Sequence, residues 1–328
     1  MLMRLICVLS LFVSLSASGQ YHNLVFEGGG IRGIAYAGAV KALEEQHVLG
    51  DVKVACGTSV GAITAGLLAV GYTADEMALI MEELEIQQFN DGQWFFIGGV
   101  KRMTKNYGWY KGEKLERWMG KLIEAKTGNV NLTLKQLHQL AETNTKYRDL
   151  YTLAANLSLQ RREVLSYLSY PDMPVKTAIR ISISIPLYFG AVFVDSAGNT
   201  YKQQDKAGSY MVMVDGGLVA NYPLTLFDSG SINAQTLGFK LERPEQIAYA
   251  HTAKGLAPYH INNTKAYIAA LYNIAIEQLN PLTAGERART IYISTGNISP
   301  RVRRIAAADK KLLYENGKSA ARDFIEKR

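Results

Sequence analysis

Gly57-Thr58-Ser59-Val60-Gly61 stands between two apolar runs of different character. Val52–Cys56 ahead of it reads as a strand, while Ala62–Val70 behind it, apolar at nearly every position and stopped by Gly71, reads as a helix buried on all sides. A G-x-S-x-G is a weak signal in isolation. Between a strand and a helix it describes a turn so sharp that little beyond glycine fits two residues either side of the serine, whose hydroxyl is lifted out of the sheet at a helix N-terminus.

Upstream, His22–Phe26 reads as a second strand, followed by Glu27 and the triplet Gly28-Gly29-Gly30. From Gly33 to Gln46 the residues Ile34, Ala35, Ala37, Val40 and Leu43 recur at helical spacing, and Gly50 and Asp51 punctuate before Val52. Strand, helix and strand in that order imply a parallel pair. Downstream, Thr73–Leu84, Gly112–Ala125 and Leu134–Thr143 read as helices, and Leu150–Leu157 and Glu163–Leu168 as strands. Ala191–Val194 and Tyr210–Val214 flank the polar Asp195–Gly208, which suggests a hairpin with a long exposed loop. A strand near Gln235–Leu241, a helix near Lys265–Leu279, a strand at Thr290–Ser294 and a terminal helix over about Ala306–Lys327 complete the pattern. With no repeat, low-complexity tract or linker, one α/β domain is the economical reading.

The composition fits that architecture: 328 residues, 48% hydrophobic and 20% charged, exclude disorder, collagen and a disulfide scaffold. Arg4, the apolar run Leu5–Val13 and the small residues Ala17-Ser18-Gly19 have the form of a cleaved signal peptide over residues 1–19, implying a periplasmic or secreted protein. The run is too short to span a bilayer. Cleavage removes one basic residue and lowers the formal charge from +7 to +6. It also removes Cys7, so Cys56 has no disulfide partner within the mature chain. The basic balance suits an anionic membrane surface; no clustered basic motif on a reading element points to nucleic acid.

Ser59 needs a base and donors for an oxyanion. Gly28-Gly29-Gly30-Ile31-Arg32-Gly33 allows two readings, because Gly28, Gly30 and Gly33 also satisfy G-x-G-x-x-G between a strand and a helix. A dinucleotide site wants an acidic residue ending the second strand, whereas Asp51 precedes that strand and Ser59 follows it. An oxyanion hole needs only backbone N–H groups that glycines leave approachable. For the base, none of His22, His47, His138, His251 and His260 sits in an evident motif. The order Ser59, Asp215, then His251 or His260 would nonetheless fit an α/β-hydrolase triad. Asp215-Gly216-Gly217 closes an apolar strand, and its glycines leave room beside the carboxylate. Phe89–Tyr110, which interleaves Trp94, Phe95, Phe96, Ile97 and Trp109 with Lys101, Arg102 and Lys105, suits either a lipid interface or a core under a basic loop. Cys56 reads as core, and Arg32 as either a phosphate contact or a packing residue.

Taken together and in this order, Gly28–Gly33, Gly57–Gly61 and Asp215–Gly217 resemble the signature blocks of the patatin-like phospholipases. Arg180-Ile181-Ser182-Ile183-Ser184-Ile185-Pro186 resembles a further block in which the family usually has Ala where Ile181 stands. Asn106–Gly112 and Leu312–Phe324, with Gly317, extend the likeness over the mature chain. The resemblance implies a three-layer α/β fold, its mostly parallel central sheet between helices and its serine on a nucleophile elbow. Residues 20–328 would form one catalytic domain, with the core at about 22–225 and a C-terminal extension of that domain. It implies a Ser-Asp dyad in which Ser59 attacks a phospholipid or lysophospholipid ester, Asp215 is the base and Gly28–Gly33 hold the oxyanion, with no metal or cofactor. A catalytically silent lipid-binding protein is the competing expectation from outside enzymology.

Overall fold

The computed structural model describes residues 21–92, 95–201, 210–250, 256–264, 282–298 and 304–327, with single positions between 266 and 274. The expected signal peptide, the 202–209 part of the expected loop and most of the expected Lys265–Leu279 helix lie outside the described residues.

Among the described residues nine strands form one sheet: β1 (Asn23–Phe26), β2 (Val54–Gly57), β4 (Asp149–Asn156), β5 (Arg161–Leu165), β7 (Val192–Val194), β8 (Thr200–Tyr201), β9 (Met211–Asp215), β10 (Thr236–Glu242) and β11 (Thr290–Ser294). Their order is β11-β10-β1-β2-β4-β9-β7-β8, with β5 also pairing β4. The first five in that order are mutually parallel, and β9, β7, β8 and β5 join antiparallel. β3 (Gly108–Tyr110) and β6 (Leu187–Phe189) make a separate parallel pair.

The central strands are apolar on both faces because both are covered. Leu24, Phe26 and Ala55 join the main core, while Val25 and Cys56 join a smaller one with Leu153, Ala220, Tyr222 and Leu224. On the main face lie α1 (Ile34–Glu45), which carries the chain from β1 to β2, and α2 (Val60–Ala69), buried at all ten positions as its composition demands. The C-terminal helix Ala307–Glu326 crosses α1 in backbone contact: a Cβ on Gly38 would land on the Tyr314 carbonyl, and one on Gly317 on that of Ala35.

Most expected elements are present within a few residues of their expected bounds. The Glu163–Leu168 strand instead runs Arg161–Leu165, since Ser166 opens a turn closed by Tyr170 N–H on its carbonyl (2.9 Å). Helices at Phe95–Asn106, Val175–Ser182 (here α3), Gly217–Ala220, Pro244–Tyr249 and Ala284–Ala288 were not foreseen. Of these, α3 alternates Val175, Thr177, Ile179 and Ile181, which resembles a strand. Pro174 opens it as a helix, however, and the surroundings bury every residue but Lys176.

Register places the next feature. Gly57 pairs with Thr152 on β4, and Ala154, two residues further along β4, faces Asp215 on β9. Asp215 therefore lies about 6.6 Å beyond the level of Gly57, the height the chain reaches at Ser59.

Candidate active site

Ser59 stands at φ 55° and ψ −122°, a conformation that costs a non-glycine residue on the order of 1–3 kcal/mol and persists only where the surroundings over-determine it. They do so here. The Ser59 N–H donates to Ser182 Oγ (3.1 Å), and its carbonyl accepts from the Ala62 and Ile63 N–H groups (2.9 and 3.3 Å). Thr58 is pinned on both sides, its N–H to the Phe26 carbonyl (3.2 Å) and its hydroxyl to that of Ala220 (2.9 Å). The motif glycines are steric requirements: a Cβ on Gly57 would overlap the Gly61 carbonyl, and one on Gly61 the Phe26 carbonyl.

Asp215 ends β9, buried, with the Ser59 side chain close enough to draw its pKa down. Gly217 N–H donates to its Oδ1 (2.8 Å). Burial pushes its pKa up to about 6, against the pull of the Gly217 N–H and of the nearby Ser59 hydroxyl. A carboxylate poised there is a far better base at neutral pH than an ordinary Asp. Gly216 lets the chain turn over β4, since a Cβ would press on the Leu153 carbonyl.

The glycine segment abuts the elbow. Gly33 packs on the Val60 side chain, and Gly30 adopts φ 58° at the head of a 3-10 turn, Gly30–Gly33, that runs into α1. Among the six residues expected to offer N–H groups, Gly28 donates to the Asn221 carbonyl (3.0 Å) and Arg32 to that of Gly29 (3.4 Å). Gly29, Gly30 and Ile31, at the start of this turn, have no N–H acceptor among the described residues, as helix starts generally do not. An oxyanion there also meets the positive end of α1. Arg32 Nε donates to the Gly29 carbonyl (3.0 Å), tying the segment together.

Beneath it lies a charged cluster that sequence reading did not single out. Buried Glu27 accepts from Lys240 Nζ (2.9 Å) and from the Leu241 N–H (2.9 Å), while Lys240 also contacts Glu242 (2.7 Å). Asn221 donates to the Gly28 carbonyl (3.3 Å). Neither Glu27 nor Asn221 forms a recognisable motif with its partners, which arrive from strands about two hundred residues away or from the far side of the elbow.

No histidine among the described residues hydrogen-bonds to Ser59 or Asp215. His138 pairs with Asp149 (2.9 Å) and stacks on Tyr167 (3.7 Å), and His260 is exposed. His251 lies outside the described residues. Cys56 is fully buried and desolvation raises its thiol pKa, in keeping with a core role. In Phe89–Tyr110, Phe89 packs on Trp118 (5.1 Å), and the Trp109 ring fills the space beside Gly99. The side chains of Trp94, Phe95, Phe96 and Ile97 lie outside the description.

Residues 24–228 match the patatin-like phospholipase family. Among similar proteins, R571 of Acanthamoeba polyphaga mimivirus is 32% identical over 213 residues, 65% of this chain and 63% of that one. YqhO of Bacillus subtilis is 33% identical over 215 residues, 63% of this chain and 67% of its own. The alignment thus spans a little under two thirds of the mimivirus protein. The crystal structure of VipD from Legionella pneumophila superposes on 94% of this chain and 67% of its own, with TM-score 0.59 at 18% identity, a likeness of fold.

Proposed function

This chain belongs to the patatin-like phospholipase family of lipid acyl hydrolases, and from that premise we propose that it cleaves carboxylic esters of phospholipids or lysophospholipids through Ser59 and Asp215. The observation that carries the reading is the strained Ser59 set beside a buried Asp whose pKa lies near 6. In the first half-reaction Asp215 takes the hydroxyl proton as Ser59 Oγ bonds to the ester carbonyl carbon. The oxyanion faces the N–H groups of Gly29 and Gly30. Collapse breaks the ester C–O bond, and Asp215 returns the proton to the leaving alcohol. In the second half-reaction Asp215 deprotonates a water that attacks the acyl-enzyme, and the proton goes back to Ser59 as the fatty acid leaves.

Incubation with a mixed phospholipid and lysophospholipid extract, followed by mass spectrometry, tests this. Wild type should release free fatty acid and the matching deacylated lipid, and Ser59→Ala should release neither. Equal product from both proteins would remove Ser59 from the chemistry. A lipid pool left intact by wild type would favour a silent binding protein.

Export belongs to the same proposal. Protein recovered from cells should begin near Gln20 by N-terminal mass spectrometry, and a retained Met1 would count against the signal peptide.

A further inference from the structure

Both members of the dyad are held by the same short piece of chain. At the end of α3, Ser182 Oγ accepts the Ser59 N–H (3.1 Å). Two residues later the Ser184 carbonyl accepts the Asp215 N–H (3.0 Å). α3 is itself seated over β4, the strand between those that deliver Ser59 and Asp215, where the Thr152 hydroxyl donates to the Ala178 carbonyl (3.2 Å).

What locks this bracket is Arg180. Its Nε donates to the Gly112 carbonyl (3.0 Å), and one terminal nitrogen donates to the carbonyls of Lys111 (2.6 Å) and Gly190 (3.0 Å). The other donates to Ser184 Oγ, which in turn donates to the Arg180 carbonyl (2.9 Å). Gly112 has φ 77°, and a Cβ there would occupy the guanidinium's place. Arg180 is buried and makes no salt bridge among the described residues, so every acceptor it has is neutral. Desolvating a cation is expensive, and the carboxylates of Glu116, Asp91 and Glu113 draw on it without touching it, so an apolar side chain would fill the space at lower cost. The planar fork offers something else: several acceptors from separate segments fixed at once relative to one side chain.

We propose that Arg180 is a positioning residue for the dyad, holding Ser184 and through it Ser182 so that the Ser59 hydroxyl and the Asp215 carboxylate stay in reach of each other. The inference rests on the dyad reading above. Lysine keeps the charge but lacks the fork, and a misplacement on the order of 1 Å costs about 100-fold in rate.

The test compares wild type, Arg180→Lys and Ser182→Ala on a short-chain p-nitrophenyl ester and with a fluorophosphonate that labels reactive serines. Measurements are made below each protein's unfolding midpoint. Arg180→Lys should lower kcat and the labelling rate together by about 10- to 100-fold, with KM within about twofold, and Ser182→Ala should do the same by about 10-fold. Should Arg180→Lys fail to fold, Ser182→Ala still decides. Variants that melt earlier but label at the wild-type rate, or that lose affinity alone, would overturn the inference while leaving the dyad standing. A wild type that neither labels nor turns over would overturn the dyad, and the inference with it.

Discussion

Asp215→Asn should all but abolish ester turnover while making the protein more stable at neutral pH. The loss of activity follows from removing the base, an effect of about 10²- to 10⁴-fold. The gain in stability follows from the direction of the pKa shift. Burial raises the folded-state pKa of Asp215 to about 6, above the roughly 3.9 of an unfolded Asp. The folded state therefore binds the proton more tightly. The stability this confers is fully present below about pH 4 and is lost as pH rises through 6, a change of about 3 kcal/mol. Above pH 7 the wild type bears the whole cost of a desolvated charge, and Asn, similar in shape and neutral, does not. Urea unfolding should show Asp215→Asn ahead by about 1–3 kcal/mol at pH 7.5 and level with wild type near pH 4. Wild-type turnover should show an acid limb near pH 6, where the base becomes protonated. A variant less stable than wild type at pH 7.5 would mean that the carboxylate is paid for by contacts the hydrogen bonds do not reveal, and retained activity would dismiss the dyad.

Gly61→Ala should be heavily damaging for a single added methyl. Its Cβ would fall on the backbone carbonyls of Phe26 and Glu27. Phe26 ends β1, which is paired to β10 on one side and β2 on the other, and the Glu27 carbonyl just beyond it accepts the Tyr36 hydroxyl (2.7 Å), so neither is free to yield. The expected loss is more than about 3 kcal/mol, the upper range for overpacking, because backbone rather than a flexible side chain is displaced. Gly33→Ala is the matched comparison. Its Cβ meets only the Val60 side chain, which can turn away at a cost of about 1 kcal/mol. Denaturant midpoints of the two variants, read beside fluorophosphonate labelling of Ser59, measure the contrast. Equal midpoints would show that the elbow relaxes more freely than its packing implies.

The site was legible where one short segment contains its own reason. Gly57–Gly61 and Gly28–Gly33 are local conformational requirements: a turn that excludes Cβ atoms, a positive φ at Gly30 and the start of a helix all leave their mark within a few residues. Asp215 was legible because glycines follow it. The alternation of Leu24, Val25 and Phe26 between two cores is likewise written in a fully apolar strand. The supporting residues were not legible in the same way. Ser182 and Ser184 are ordinary serines on a segment whose β-branched residues mimic a strand. Glu27 and Lys240 look like two unrelated charges 213 positions apart.

The sequence by itself determined the parallel α/β core, the elbow and the glycine turn, because these depend on periodicity and on the absence of side chains at fixed spacing. Only the tertiary structure decided which carboxylate meets Ser59, that Gly28 and Arg32 have spent their N–H groups while Gly29 and Gly30 have not, and that a buried arginine braces the arrangement. Each of these depends on where hydrogen-bond donors and acceptors from distant segments come to rest. Burial then gives the result its chemical meaning, raising the Asp215 pKa and leaving the Arg180 cation to neutral acceptors, and no spacing of letters encodes how far water has been excluded.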